Sequence, residues 1–215
     1  MHFLLTDRLT CPRCGPAFGL ILLAQKMEDR IVYEGRLGCA NCRDAYPIES
    51  GFGDLRAPPR GALPPGLAGS PERAPIGAPL VESEGARLLA LLGVVGGPGT
   101  VALVGESARA AAQVAAALQE MLVVAVDPDL RDWPETPGVS RLASAPGLPF
   151  FDGRLRGVVV DGRLGPGWVA EAARVVTPRG RVVVVRASAE VSGWLEAAGL
   201  RVLASDPESV VAARS

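Results

Sequence analysis

Residues 99–129 read GTVALVGESARAAAQVAAALQEMLVVAVDPD, and this stretch decides the fold. GTVALVG (99–105) is an apolar run that ends in glycine, which predicts a buried strand. SARAAAQVAAALQEM (107–121) is rich in alanine and predicts a helix with Ser107 as its cap. LVVAVDPD (122–129) predicts a second buried strand, which a proline ends. A strand, a helix and another strand in this order predict two parallel neighbours in one sheet.

The same alternation of strands and helices continues downstream. Further strands are predicted at 139–145, 156–162 and 181–188, and further helices at 79–93, 167–177 and 189–198. LRVLAS (200–205) and SVVAARS (209–215) flank Asp-Pro-Glu and predict a closing antiparallel hairpin. Continuous valine-rich strands between helices indicate a sheet that is covered on both faces. The predicted fold class is therefore α/β, with a mostly parallel sheet that ends in an antiparallel hairpin.

Composition divides the chain into three segments. Residues 1–56 hold all four cysteines and read as short strands and turns. Residues 57–79 contain seven prolines and four glycines, which favour neither helix nor sheet and predict a linker. This linker is also long enough to wrap over a neighbouring surface. Residues 80–215 form the predicted α/β domain.

The cysteines stand in two C-x2-C pairs, Cys11 with Cys14 and Cys39 with Cys42. Two such pairs supply four thiolates to a tetrahedral zinc ion, and the spacer between them suits a hairpin. Two disulfides, or four unrelated buried cysteines, are the alternatives, and the lack of a secretion signal argues against disulfides. Four thiolates leave no position for water, so we expect the zinc to build the fold and not to catalyse. Replacing Cys14 with serine should then unfold residues 1–56.

Composition and charge narrow the classes of function. Twenty-two basic and 23 acidic side chains give a net charge of −1, which argues against nucleic-acid binding through bulk charge and against a polybasic membrane anchor. The apolar runs are too short to cross a bilayer and no signal-peptide pattern is present, so we expect a cytoplasmic protein that does not contact membranes. His2 is the only histidine, which excludes Ser-His-Asp and Cys-His catalysis.

Three stretches around the cysteines carry a resemblance to a known family, namely LTCPRCG (9–15), GCANC (38–42) and YPIESG (46–51). They resemble the small zinc-ribbon proteins that activate tRNA, rRNA and release-factor methyltransferases. The family continues with Gly-Ile-Pro where this sequence has Gly51-Phe-Gly53. Whether the exit strand offers the same pairing edge is therefore open. The resemblance implies a zinc ribbon as the N-terminal domain.

Nearly all of residues 85–215 resembles a class I S-adenosylmethionine (SAM) methyltransferase. LPFFDG (148–153) is similar to the Leu-Pro-Phe-x-Asp-Gly stretch before the fourth strand of that family. EAARVVTPRGR (171–181) is similar to the run that leads into its fifth strand, and the family's sheet ends in the same kind of hairpin. The resemblance implies a small zinc ribbon followed by a minimal Rossmann-like methyltransferase fold.

The cofactor residues of that family are only partly present. Leu103 replaces the acid at the end of the first strand, and only Gly105 remains of the glycine-rich turn. Glu106 is the neighbouring substitute for the missing acid. Asp127 ends the second strand, where the family places the carboxylate that holds both ribose hydroxyls; a turn residue before proline is the alternative. The resemblance therefore implies Gly105, Glu106 and Asp127 as the cofactor-binding residues. Two further carboxylates of the family are replaced, by Ser144-Ala145 and by Leu155-Arg156.

The replaced carboxylates lower the SAM affinity that we expect. Leaving one partner of a buried carboxylate–ammonium contact bare costs about 2–5 kcal/mol, so two losses weaken micromolar binding to roughly millimolar. The favoured hypothesis is a methyltransferase-like protein that binds SAM weakly or not at all and acts as a protein-binding partner or scaffold. The alternative is an active SAM-dependent methyltransferase on an RNA or protein substrate.

Two further interpretations concern catalysis and RNA. The catalytic residues are unknown, because Asp161 is either a general base at the end of a strand or the cap of a glycine-rich turn. An RNA-binding accessory protein is a third hypothesis. Residues 1–60 carry eight basic and seven acidic side chains, and this balance speaks against it.

Overall fold

The computed structural model describes residues 1–70, 83–118 and 120–214. The strands are β1 Thr10–Cys11, β2 Gly15–Glu28, β3 Ile31–Cys39, β4 Ala45–Glu49, β5 Phe52–Arg56, β6 Gly99–Val104, β7 Met121–Val126, β8 Val139–Ala145, β9 Leu155–Asp161, β10 Val176–Val185, β11 Leu200–Ser205 and β12 Ser209–Arg214. The helices are α1 Ser83–Leu92, α2 Ala111–Ala117, α3 Pro166–Val175 and α4 Val191–Ala197. Short 3-10 helices cover Phe3–Arg8, Gly105–Ala110, Pro128–Asp132 and Gly162–Leu164. The first residues of the helix predicted at 79–93 lie outside the described residues.

In the described ranges all the strands join one sheet, in the order β1-β2-β3-β4-β5-β8-β7-β6-β9-β10-β12-β11. The strands from β8 to β10 are parallel, and their order reverses between β6 and β9, as in doubly wound folds. β12 pairs antiparallel with β10, and β11 pairs antiparallel with β12. This confirms the predicted α/β class, its Rossmann-like arrangement and its closing hairpin.

The central strands are apolar on both faces because each face has its own core. Val104, Val160 and Val184 belong to one buried cluster. The residues before them in sequence, Leu103, Val159 and Val183, belong to the other. Consecutive side chains of a strand point to opposite faces, so continuous valine runs fill both cores. This is the physical basis of the strand pattern in the sequence.

The helix predicted at 107–121 is much shorter in the structure. The chain leaves β6 through the 3-10 helix Gly105–Ala110, and α2 covers only Ala111–Ala117 before β7 begins at Met121. Ser107 does not cap a helix, because its hydroxyl donates to the Val104 carbonyl at 3.0 Å. An alanine-rich sequence favours a helix without marking where the helix ends, which is why the prediction ran too long.

The cysteine-containing segment continues the central sheet. β5 runs parallel to β8, with Phe52 opposite Arg141 and Arg56 opposite Ala145. The N-terminal residues share a core with the helix–strand part, since Leu9 and Tyr46 lie in one buried cluster with Val160. The pairing edge that the sequence left open is therefore used within the chain itself. The predicted boundaries at 56 and 79 stay a prediction.

A long hairpin connects the two cysteine pairs. β2 and β3 pair antiparallel from Leu20 opposite Cys39 to Glu28 opposite Ile31. The turn is made by Asp29 and Arg30, which both have positive φ, as a two-residue hairpin turn requires. The hairpin predicted from the spacer is present.

Part of the proline-rich linker packs on the sheet. Residues 57–70 form neither helix nor strand, as their composition predicts. Residues 63–70, which we call the strap, lie over the carboxyl ends of the parallel strands, where Ala68 is fully buried. None of the helices in the described ranges is long and apolar enough to span a bilayer.

Candidate metal centre and cofactor site

The four cysteines meet at the open end of the β2–β3 hairpin. Their sulfur atoms all lie within 4.8 Å of one another. Cys11 Sγ is 3.6 Å from Cys42 Sγ, and Cys39 Sγ is 3.9 Å from Cys14 Sγ. A tetrahedral zinc ion with Zn–S bonds of about 2.3 Å holds its sulfur ligands about 3.8 Å apart, so the arrangement fits a metal ion. All four are free cysteines, at distances well beyond a disulfide bond.

Polar groups around the sulfur atoms suit negative charge. Asn41 Nδ2 donates to Cys14 Sγ at 3.2 Å, and the Cys14 backbone N–H donates to Cys11 Sγ at 3.4 Å. The Tyr46 hydroxyl lies 3.2 Å from Cys11 Sγ. Burial raises the pKa of the Cys11 thiol, but hydrogen bonds from Tyr46 and the backbone outweigh it and lower the pKa to about 7. Donors of this kind support metal-bound thiolates, whose excess negative charge needs compensation.

The second candidate site is the predicted cofactor site, at the turn that follows β6. This turn has the backbone conformation of a glycine turn, but an apolar residue stands where the family has an acid. Gly105 has a φ of +74°, a left-handed conformation that glycine adopts without strain. Leu103, at the position of the missing acid, is fully buried in the core. The turn therefore offers no carboxylate of its own at the end of the strand.

Glu106, the predicted substitute acid, already has two cationic partners. Arg163 Nη2 donates to Glu106 Oε2 at 2.5 Å, and Arg186 Nη2 donates to Glu106 Oε1. Arg163 follows β9 and Arg186 follows β10, so the carboxyl ends of three neighbouring strands bring these groups together. Sequence reasoning missed both arginines, although Arg163 lies only two residues after Asp161 in the sequence.

Asp161 joins the same group, which we call the arginine–carboxylate cluster (Glu106, Asp161, Arg163 and Arg186). It is fully buried at the end of β9 and accepts from Arg163 Nη2 at 2.6 Å, while Arg186 Nε lies 3.7 Å away. Burial alone would raise the pKa of Asp161, but hydrogen bonds from Arg163 outweigh it and lower the pKa. Its Oδ1 also accepts the Arg163 backbone N–H at 3.0 Å, so it caps the following turn. The sequence left two roles open for Asp161, a general base or a turn cap, and the structure shows the hydrogen bond of the cap.

Asp127 lies where the sequence predicted, at the carboxyl end of β7. It is almost fully buried and caps the 3-10 helix Pro128–Asp132, with Oδ1 accepting from the Asp129 backbone N–H at 2.9 Å. Its Oδ2 accepts the Leu67 backbone N–H of the strap at 2.8 Å. Burial raises the pKa of Asp127, although the backbone donors act against that shift. Both oxygens of this carboxylate therefore have partners within the chain.

The strap makes further contacts on the same edge. The backbone N–H groups of Gly66 and Gly69 donate to Asp129 at 2.8 and 2.7 Å. Trp133 Nε1 donates to the Gly69 carbonyl at 2.9 Å. An atom at the Cβ position of Gly105 would lie 2.9 Å from Asp161 Cβ, 3.2 Å from Leu164 Cδ1 and 3.4 Å from Leu67 Cδ1, so Leu67 is one of three side chains that pack against the turn after β6.

The two positions where family carboxylates are replaced serve local structure. Ser144 donates its hydroxyl to the Gly147 carbonyl, next to the β5–β8 pairing. Arg156 Nη1 donates to the Gly96 carbonyl at 2.7 Å and so holds the turn before β6. Neither residue presents an acidic group at the carboxyl edge.

Taken together, the two carboxylates that the resemblance assigns to SAM already have partners within the chain. The cofactor needs an unpaired carboxylate for its ammonium group, and both hydroxyls of its ribose need a carboxylate. Glu106 is paired with two arginines, and the oxygens of Asp127 accept backbone N–H groups. Leu67 also packs against the Gly105 turn, which the ligand would have to approach.

The fold and these sites define a mixed α/β protein with a Rossmann-like sheet and a cysteine cluster able to hold a metal ion. No protein-family model and no curated protein matches the sequence. Among solved structures, the antibiotic-resistance methyltransferase Kmr matches 61% of this chain and 93% of its own, with 16% identity and a TM-score of 0.43. A predicted O-methyltransferase of Agrobacterium tumefaciens matches 60% of this chain and 80% of its own, with 19% identity and a TM-score of 0.47.

A third similar structure is the complex between the Haloferax volcanii Trm112 methyltransferase activator and a proposed methyltransferase. It matches 58% of this chain and 71% of its own chain, with 18% identity and a TM-score of 0.47. At such identities and TM-scores we assign no activity, substrate or partner from these likenesses.

Proposed function

We propose that this protein is a methyltransferase-fold relative with a structural zinc ribbon, that it binds SAM weakly or not at all, and that it works by binding a protein partner. One observation carries the proposal. The carboxylates Glu106, Asp127, Asp129 and Asp161 at the carboxyl edge all have a hydrogen-bond or ion-pair partner inside the chain. A cofactor with an ammonium group and a ribose finds none of them free.

Binding SAM here would carry a cost that an open site does not have. The ammonium group would have to displace Arg163 and Arg186 from Glu106, and the ribose would have to displace Leu67 from Asp127. A hydrogen bond to a buried charged group such as Asp127 contributes about 1.5–3 kcal/mol, so displacing Leu67 weakens the apparent affinity by roughly tenfold or more, and displacing each half-exposed arginine costs less because solvent screens its charge. The cost of displacing these partners supports loss of SAM binding and does not support methyl transfer by this protein.

Calorimetric titration with SAM tests this part of the proposal. We expect no measurable heat of binding up to millimolar SAM, for the wild-type protein and for Asp127→Ala alike. Micromolar affinity in the wild type that disappears in Asp127→Ala would contradict the proposal. That result would favour the alternative, an active SAM-dependent methyltransferase on an RNA or protein substrate.

Zinc is the metal that we propose for the cysteine cluster. Four thiolates at these distances suit tetrahedral zinc and leave no open coordination position, so the ion would hold the two cysteine pairs together without taking part in chemistry. Metal analysis of the purified protein should find one zinc ion per chain. A Cys11→Ser variant that retained the full zinc content would contradict this assignment.

A protein partner is supported by the surface of the hairpin. Five of the seven large apolar side chains that are exposed in the described residues lie on β2 or on the 3-10 helix Phe3–Arg8: Leu4, Phe18, Ile21, Leu23 and Met27. The other edge of this N-terminal segment, β5, is already paired with β8 within the chain. An exposed apolar group on β2, largely beyond the residues that pair with the edge strand β1, favours contact with another protein over contact with RNA, whose backbone requires positive charge.

The test of partner binding compares two edges of the same sheet. The double variant Ile21→Ser, Leu23→Ser changes β2, and Leu203→Ser changes the similarly exposed β11. A partner identified with the wild type and then purified should bind Leu203→Ser normally and the double variant at least tenfold more weakly. Equal binding by both variants would place the contact elsewhere and contradict this part of the proposal.

A further inference from the structure

The strap lies where doubly wound folds bind nucleosides. Ligands of these folds sit at the carboxyl ends of the strands, beside the point where the strand order reverses. In this sheet the reversal falls between β6 and β9, and the Gly105 turn follows β6. A carboxylate at the end of the second strand holds the hydroxyls of a ribose in such sites. Asp127 ends that strand, and the strap donates to it.

The strap makes the same two types of contact that a nucleoside makes in such a site, namely hydrogen bonds to a carboxylate and packing against the glycine turn. A ribose donates its hydroxyls to a carboxylate, and the strap donates backbone N–H groups to Asp127 and Asp129. A nucleoside packs an apolar face close to the glycine turn, and Leu67 packs there instead. Ala68 is fully buried between these contacts. The strap therefore satisfies the same polar and apolar surfaces as a bound nucleoside.

We propose that the strap is an internal competitor for a nucleoside with a free ribose cis-diol, and that the site beneath it becomes available only when residues 66–69 leave Asp127. This inference rests on the proposed function, because a strap that blocks the site contributes to the absence of SAM binding. The hydrogen bonds of Gly66, Leu67 and Gly69 involve no backbone group of a strand, so the strap can leave without breaking any strand pairing of the sheet.

Gly66 provides a selective way to remove the strap. A Cβ at this position would lie 2.6 Å from Asp127 Cγ and closer still to Oδ1, so alanine cannot occupy the docked conformation. Gly61 is the matched control, because a Cβ there meets nothing within 4 Å. Both substitutions add one methyl group to the same linker. Only Gly66→Ala should displace the strap.

Two measurements test the proposal. Hydrogen–deuterium exchange should show faster exchange over residues 63–70 in Gly66→Ala and unchanged exchange in Gly61→Ala. Calorimetry with adenosine and 2′-deoxyadenosine then measures the exposed site. We expect adenosine to bind Gly66→Ala at least roughly tenfold more tightly than it binds the wild type. The reason is that the conformation with the strap away from Asp127, which alone can bind the nucleoside, is no longer a minor population in this variant. 2′-Deoxyadenosine, which lacks the diol, should gain little.

The double variant Gly66→Ala, Asp127→Ala completes the design. It should release the strap and lose the gain in adenosine affinity. A released strap without a gain for adenosine, or an unchanged exchange rate in Gly66→Ala, would overturn the inference and leave the proposed function standing. Micromolar SAM binding by the wild type would instead remove the proposed function itself.

Discussion

Asp161 carries its charge at a fully buried position, and two half-exposed arginines balance it. Its folded-state pKa is lowered by Arg163 against the effect of burial. A lowered carboxyl pKa contributes stability that is present above the unfolded pKa of about 3.9 and is lost as the pH falls through the folded value. This residue therefore links acid stability to the arginine–carboxylate cluster.

Asp161→Asn removes that charge and leaves the shape of the side chain nearly unchanged. We expect the free energy of unfolding to fall by about 1–2 kcal/mol at pH 7, because the arginines are partly screened by solvent. The difference from the wild type should shrink as the pH falls below about 3.9, because the carboxyl of the unfolded chain is then protonated while the folded carboxylate, with its lowered pKa, still carries its charge. Urea denaturation at pH 7 and at pH 3.5 measures both quantities.

Asp152→Asn is the control, since Asp152 pairs with Arg174 at an exposed position. Its effect should stay within about 0.5 kcal/mol at either pH. Equal effects of the two substitutions, or a difference for Asp161→Asn that persists unchanged at low pH, would contradict the electrostatic role of the buried carboxylate.

At the scale of residues, the sequence predicts where a site residue lies in the fold better than it predicts which residue forms a hydrogen bond with it. The cysteine spacing identified Cys11, Cys14, Cys39 and Cys42 because ligand geometry is encoded locally, and their sulfur atoms do meet. The pattern of β7 likewise located Asp127 at the end of a strand. Its strap partner is Leu67, some 60 residues earlier in a proline-rich stretch. Nothing in the composition of that stretch indicates where it docks.

At the scale of elements, the position of the strap depends on the path of the chain between the end of β5 and residue 63. Arg56, the last residue of that strand, donates to the carbonyls of Gly61 and Ala62 at 3.0 and 2.9 Å, and it is itself held by Asp54 at 2.8 Å. These bonds fix the direction of the chain just before the strap. The start of the strap is therefore anchored at the exit of the cysteine-containing segment.

Arg56→Ala removes this anchor without touching the strap. We expect several-fold faster amide exchange over residues 63–70, because the docked segment loses its fixed entry. Arg154→Ala is the control, since its side chain lies far from this exit, at the start of β9. Unchanged exchange in Arg56→Ala would show that the strap is held by its own contacts alone.

The predicted elements succeed where side chains specify a boundary. β8 was predicted with its observed limits, Val139–Ala145, because a glycine precedes the segment and a proline and a glycine follow it. The helix after β6 was predicted four residues too long at each end, because alanine gives no stop signal before Met121. Segments without apolar periodicity, such as the strap, gave no prediction of contacts at all.

For the whole molecule, the shared sheet and core join the metal centre to the rest of the chain. β5 pairs with β8, and Leu9 lies in the same buried cluster as Val160. Loss of the metal should therefore affect more than the cysteine-containing segment. The sequence alone does not contain this coupling, because a parallel pairing between distant strands depends on tertiary contacts.

Cys14→Ser tests this coupling. We expect loss of zinc, loss of native amide dispersion for residues 1–56, and faster exchange in β8 as well, because β8 loses a strand neighbour. Chelation of the wild-type metal should give the same pattern, and added zinc should reverse it. Native exchange in β8 after loss of the metal would contradict the coupling, and native dispersion over residues 1–56 would contradict the structural role of the metal.

The most direct test of the account is a crystal structure of the wild-type protein grown with millimolar SAM. We predict that Leu67 still donates to Asp127, that Arg163 still pairs with Glu106, and that no cofactor lies above the parallel strands. A structure with SAM bound at Asp127 and the strap displaced would contradict the central claim that the chain itself occupies this site.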